Sequence, residues 1–384
     1  MDQKMRTLCS RPFAVASLAI GALTLSALQT QGADLTQTNL VSDIPGLAKI
    51  TDPQLVNPWG VSHSPTGSPF WISNQGKNSS TLYMVTDKTT VTKVNINPPN
   101  GFVVIPCAPP AVPCTTAPGQ GPTGQVNNTN TSSFPVSGGD GKFAHFIFAN
   151  LNGTISAWDT GPTAFVQNSG AAGTVYTGLA INRAQTRLYA ANTSLGRIDV
   201  FDSNFAALDL GPDAFVDPSL PDGLVPFNVR DIDGFVYVVY APAGRPAQTM
   251  ADLGAGAVAV FEEDGTFINE VVVGSRLAAP WGITFAPPSF GQFANHLLVG
   301  NFSYLHSEIN AFDPTNGELH GTIPIETGEQ QAGGLWAIDF GVGGNNGSPN
   351  VLYFSDGING EADGLFGAIA ADGAIAADGA IAAR

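Results

Sequence analysis

Pro58-Trp59-Gly60-Val61 returns almost unchanged as Pro280-Trp281-Gly282-Ile283, and four looser copies surround them. These are Pro122-Thr123-Gly124-Gln125-Val126, Thr177-Gly178-Leu179-Ala180, Pro226-Phe227-Asn228-Val229 and Leu335-Trp336-Ala337-Ile338. The register marks Gly60, Gly124, Gly178, Asn228, Gly282 and Ala337 stand 64, 54, 50, 54 and 55 residues apart. Only the first step is long, and it contains a Pro-rich stretch with Cys107 and Cys114. A fixed period of this size is the signature of a repeat architecture, in which each unit buries its apolar face against the next.

Within each period a second apolar run ends in Asn, Asp or Tyr, at Asn74, Asn150, Asn192, Tyr240, Asn301 and Asp356. A third run alternates strictly, as in Ile198-Asp199-Val200-Phe201-Asp202 and Ile309-Asn310-Ala311-Phe312-Asp313. Period-two alternation of β-branched and aromatic residues predicts strands. Asp264-Gly265 and Asn316-Gly317 then supply hairpin turns into a fourth strand. Six units of four antiparallel strands predict an all-β, six-bladed propeller. Leu35 to Val41 has strand composition and is expected to complete the last blade, closing the ring and removing a bare sheet edge.

Pro58-Trp59-Gly60-Val61, Ile72-Ser73-Asn74 and Ile198 to Asp202 together resemble the NHL-type propeller repeat. The stretches Asn39 to Leu47, Asn57 to Gly60, Ala279 to Gly282, Leu298 to Phe302 and Asp356 to Gly367 resemble an uncharacterised bacterial family of exported propellers, often associated with a PEP-CTERM sorting tail. The resemblance covers about residues 35 to 369 and implies fold and export, with no established activity. This sequence carries no Pro-Glu-Pro tail. More remotely, such chains are similar to the six-bladed calcium-dependent lactonases and phosphotriesterases. That likeness is one of fold, which does not transmit a function.

Residues 1–33 read as a signal peptide: Arg6 and Arg11 precede the apolar stretch Phe13 to Leu28, with cleavage near Gly32 or Ala33. Residues 34–369 then form the propeller, with an insertion at about 98–121, and residues 370–384 form a low-complexity tail. The expected location is secreted, periplasmic or extracellular, with no transmembrane segment after signal cleavage. The chain is expected to be a monomer. In an oxidising compartment Cys107 and Cys114 are expected to form a local disulfide.

Asp and Glu number 31 against 15 Lys and Arg, a formal net charge of −16. Nucleic acid is therefore a poor partner, because phosphate binding needs clustered bases. The sequence has no Gly-x-Ser-x-Gly elbow, Walker loop or His-Glu-x-x-His motif.

Asn74, Asn150, Asn192, Asn301 and Asp356 hold equivalent repeat positions, which a ring of blades would gather near one end of the channel. Glu361 and Asp363 would add charge. Such oxygens are candidate ligands for Ca²⁺, which takes six to eight of them. The competing reading is that each caps a turn by bonding its own backbone. His306, in the loop Phe302 to Ser307, is the histidine placed to act as an acid or base. The five tryptophans, Trp59, Trp71, Trp158, Trp281 and Trp336, are expected between blades as core.

Three functions remain open on the sequence. One is a binding or scaffold module for a small molecule, glycan or protein. The second is a calcium-dependent hydrolase of lactones or esters, and the third a structural envelope or matrix protein.

Overall fold

The computed structural model describes residues 35–114, 120–140 and 142–371. By internal contacts the chain divides into Met1–Gly32 and Ala33–Arg384, and every described residue belongs to the second unit. The expected signal peptide at residues 1–33, and residues 372–384 of the expected tail, lie outside the described residues.

The described strands form six sheets in chain order around an axis. Strands β1 (Leu35–Ser42) and β2 (Ile50–Thr51) precede the first blade. Blade 1 contains β3 (Pro58–Ser62), β4 (Phe70–Asn74), β5 (Ser79–Thr86) and β6 (Thr90–Lys93), with β7 (Val103–Val104) paired to β5. Blade 2 contains β8 (Pro122–Asn127), β9 (Phe146–Asn150), β10 (Thr154–Trp158) and β11 (Phe165–Ser169). Blade 3 has β12 (Tyr176–Ile181), β13 (Leu188–Asn192) and β14 (Arg197–Phe201). Blade 4 has β15 (Leu224–Ile232), β16 (Phe235–Pro242), β17 (Ala257–Glu262) and β18 (Phe267–Val273). Blade 5 has β19 (Pro280–Phe285), β20 (Leu297–Asn301), β21 (Glu308–Phe312) and β22 (Leu319–Pro324). Blade 6 has β23 (Leu335–Phe340), β24 (Val351–Asp356) and β25 (Leu365–Ala371), and its fourth strand is β1.

That last pairing closes the ring. Leu35 lies opposite Ala371 and Ser42 opposite Leu365, antiparallel, so the first and last described strands satisfy one another. Blade 3 departs from the four-strand pattern. After Phe201 the chain makes a bridge from Phe201 to Ala207 and then runs irregularly to Leu224.

The repeat is visible in the register. The last residue of each second strand faces the start of its inner strand: Pro58 with Asn74, Pro122 with Asn150, Tyr176 with Asn192, Pro226 with Tyr240, Pro280 with Asn301 and Leu335 with Asp356. Each pair is followed by a bulge in the inner strand. A bulge inserts one extra residue and re-aims its side chain. Trp59, Thr123, Thr177, Phe227, Trp281 and Trp336 fall in these slips. The glycine that follows has its own reason: a Cβ at Gly124 would strike the backbone of Gly178 and Leu179, and one at Gly282 that of Trp336. At Gly124 and Gly282 the neighbouring inner strands come too close for a Cβ.

Every adjacent pair of blades shares an apolar cluster, as between blades 4 and 5, where Val239, Val258 and Val272 meet Ile283, Leu297 and Phe312. One sheet cannot bury both of its faces, so stability comes from the whole ring.

Candidate functional site

The bulge positions close the axis. The Trp59 and Trp336 rings stack with centroids 3.4 Å apart, and Trp281 meets both edge-on at 6.2 and 5.6 Å. Phe227 and Phe302 pack on Trp336 at 5.9 and 4.3 Å. Trp59, Trp281 and Trp336, expected between blades as core, are buried in one apolar cluster and meet across blades 1, 5 and 6 near the axis as a plug. Trp71 does lie between blades, stacked on Phe146 at 4.0 Å, and Trp158 sits beside it on the third strand of blade 2.

A cavity lies at each end of the plug. On the face where the inner strands finish, about 360 Å³ is enclosed by their last residues. Arg230 spans that space, donating to the carbonyls of Ile283 and Ile338 and to Asp339 at 2.6 Å, so it ties blade 4 to blades 5 and 6. His63 stands 3.6 Å from the other oxygen of Asp339.

The larger cavity, about 630 Å³, opens on the face where the inner strands begin. Its asymmetry comes from loop length. In blades 1 to 3 the second and third strands are joined by short turns, Asn74 to Ser79, Asn150 to Thr154 and Asn192 to Arg197. In blade 4 the connection runs from Pro242 to Ala257 and carries the short helix α1 (Arg245–Thr249). Blade 5 uses Asn301 to Glu308, and blade 6 uses Asp356 to Leu365 with α2 (Ile358–Glu361). The longer connections are bonded together: Tyr304 N–H donates to Thr249 O at 3.0 Å and the Ser303 hydroxyl to Ala251 O at 2.7 Å. They wall one side of a cup, while Leu151, Val175, Thr193 and Ser194 line the side with short turns.

Arg245 and Glu361 meet across that wall. The Arg245 guanidinium lies 4.4 Å from the Phe302 ring centroid and 5.6 and 5.5 Å from those of Trp59 and Trp336. Such placement over aromatic faces stabilises a cation. Its Nη2 donates to Glu361 Oε2, which also accepts the Tyr304 hydroxyl at 2.8 Å. Glu361 Oε1 accepts Asn57 Nδ2 at 3.1 Å, and Asn57 Oδ1 accepts Trp336 Nε1 at 3.0 Å. Burial lowers the Arg245 pKa to about 10, while the Tyr304 phenol opposes the shift, so the group stays charged at neutral pH.

Of the residues singled out from sequence, Glu361 lines the cup. Asn74, Asn150, Asn192, Asn301 and Asp356 are buried at the ends of their second strands, on the same face. Three of the amides donate inside their own blades, Asn74 to Thr81, Asn150 to Ser156 and Asn192 to Asp199, and Asn301 donates to Arg276 O in the connection from blade 4. The oxygens of Asn192 and Asn301 accept from Val175 N and Ala278 N. Asn74 Oδ1, Asn150 Oδ1 and both Asp356 oxygens are buried without a hydrogen bond. Burial pushes the Asp356 carboxyl pKa well above the usual carboxylate range. Four amides and a single carboxyl bring little negative charge to these positions, whereas Ca²⁺ is best held by several carboxylates among six to eight oxygens. Among the described residues no three His, Cys, Asp or Glu are grouped for a metal. His306 bonds Asp252 at 2.9 Å and is not among the residues lining the cup. Cys107 and Cys114 form a disulfide, with Cα atoms 5.0 Å apart.

Sequence reasoning passed over Arg245, because it sits in a connection that breaks the repeat. The one signal was length: the interval between Tyr240 and Val258 exceeds that in every other unit.

Fold and cup together define a six-bladed β-propeller with one loop-walled end. The chain belongs to the family of "Uncharacterized protein R648" of Acanthamoeba polyphaga mimivirus, with 30% identity over 353 residues, 87% of this chain and 79% of that protein. "Uncharacterized protein L690" of the same virus is 28% identical over 87% of this chain and 85% of its own length. These relatives are viral, not bacterial. No family model matches the sequence. Among solved structures, a streptogramin B lyase superposes with a TM-score of 0.51 at 12% identity, covering 88% of this chain and 97% of that one. A catalytically inactive virginiamycin B lyase from Staphylococcus aureus with quinupristin also scores 0.51, at 13% identity over 88% and 99%. At such identity the likeness is one of fold. Among the described residues no helix is long and apolar enough to cross a membrane.

Proposed function

We propose that this protein is an exported binding module that holds a small, partly apolar ligand in the cup. The observation that carries this reading is the cavity of about 630 Å³, which combines aliphatic walls with the Arg245–Glu361 pair. Ligand sites are concave, mainly apolar, and fixed in orientation by few polar groups. Binding is favoured over hydrolysis by the state of Glu361. Asn57, Arg245 and Tyr304 already donate to its two oxygens, so it is held as a structural anion and poorly placed to accept a substrate proton.

Calorimetric titration against a panel of amphipathic small molecules, lactones and esters tests the reading. Ser194 is exposed and lines the open side, so Ser194→Trp obstructs the cup without disturbing the core. Binding by the parent that Ser194→Trp abolishes is the expected result. Binding unaffected by that variant, or turnover of a lactone or ester, would sink the proposal.

A further inference from the structure

We infer that the ligand carries a carboxylate, which Arg245 receives through its Nε and Nη1 hydrogens while an apolar body fills the cup beside Val56, Leu151 and Val175. This rests on the cup being the binding site and adds the chemistry it selects.

The argument is a count of donors and acceptors at one wall. Glu361 brings two oxygens, and three donors already occupy them. Arg245 brings five N–H donors in a rigid fork, and among the described residues only Nη2 has a protein acceptor. Its side chain keeps 39% of its accessible surface, so the unused edge of the fork is within reach of a ligand. Trp59 lines the same cavity and is 1% exposed, yet its Nε1 has no acceptor. The wall therefore has a surplus of donors. The Arg245 donors are accessible from the cup, and a charged donor pairs most strongly with an ionised acceptor.

Carboxylate suits the fork because guanidinium and carboxylate match in plane and spacing. The rings of Phe302, Trp59 and Trp336 behind Arg245 keep the fork from turning away. A net charge of −16 opposes anions at long range, so selection must come from these short bonds.

Three probes of one shape decide the matter: 1-naphthoate, its methyl ester and 1-naphthylmethylamine, titrated by calorimetry at pH 7. Charge-assisted bonds predict 1-naphthoate binding at least about tenfold tighter than the ester, with the amine weakest. Arg245→Gln should remove that preference, so that 1-naphthoate binds no tighter than the ester to the same variant. Should Arg245→Gln fail to fold, Arg245→Lys keeps the charge, loses the fork and should lower the preference severalfold.

Equal binding of all three probes, each abolished by Ser194→Trp, would overturn the carboxylate and leave the cup standing. A preference for carboxylate that survives Arg245→Gln would overturn the role of Arg245. No binding of any probe at millimolar concentration would overturn both readings.

Discussion

The indole Nε1 of Trp281 donates to the carbonyl of Thr177 at 2.8 Å, reaching across the axis from blade 5 to blade 3. Both residues occupy the bulge of their inner strand, so one backbone irregularity, repeated around the ring, aims donor at acceptor. Trp281→Phe keeps most of the packing but leaves a buried carbonyl unpaired. We expect a loss of about 1–3 kcal/mol, read from the urea midpoint. Trp336→Ala, which empties the centre of the plug, should cost about 3–5 kcal/mol.

Glu361→Gln leaves Arg245 without its counter-charge. A fully buried pair broken this way would cost several kcal/mol. Arg245 is partly open to solvent, so about 1 kcal/mol is the expected global loss. The larger effect should be local, as faster amide hydrogen exchange across 243–251 and 302–306.

Asp356 stands where four other blades place Asn, and it alone of the five is ionisable. Its folded pKa is raised by burial, whereas an unfolded Asp ionises near pH 4. Above about pH 4 the unfolded chain has released a proton that the folded chain retains, so stability falls as pH rises. Asp43, pushed up to about 6 mainly by burial, adds the same trend between about pH 4 and 6. Asp356→Asn should therefore stabilise the protein at pH 8 by about 1–3 kcal/mol, an advantage that shrinks toward pH 4. Urea midpoints at pH 4, 6 and 8 check both sign and window; a variant less stable than the parent at pH 8 contradicts it.

The Cys107–Cys114 bridge closes a short loop whose neighbours are already bonded, Asn152 Nδ2 to Cys107 O at 2.7 Å and Val166 N to Pro110 O at 2.9 Å. Closing so short a loop constrains the unfolded chain by about 2 kcal/mol. Replacing both cysteines with serine should lower stability by no more than that and leave the ring intact, as judged by circular dichroism and thermal midpoint.

The anchors Pro58 to Val61 and Pro280 to Ile283 made the inner strands legible because close approach at the axis restricts which residues fit. The closing strand was legible as well, since Leu35 to Val41 had strand composition and no other partner. The end of blade 3 was not. After Phe201 the segment Ala206 to Leu210 is apolar enough to read as a strand, yet Pro212, Pro218 and Pro221 follow it, and proline cannot continue a ladder.

The candidate site was less legible than the ring. Asn74, Asn150, Asn192, Asn301 and Asp356 were correctly read as equivalent positions, but equivalence fixes where a Cα sits and leaves open where its side chain is aimed. The amides of Asn74, Asn150 and Asn192 are spent inside their own blades, that of Asn301 on the connection from blade 4, and the Asp356 carboxyl is buried without a partner. Trp59, Trp281 and Trp336 were visible as repeats, while their meeting on the axis depends on bulges that leave no mark in a residue pattern.

By itself the sequence determined the number of blades and the strands that build them, because hydrophobic period and spacing are local properties carried in every unit. Only the tertiary structure decided where a ligand would sit. Arg245, Tyr304 and Glu361 come from connections in three different blades, and their meeting follows from ring closure and from the lengths of loops that obey no repeat.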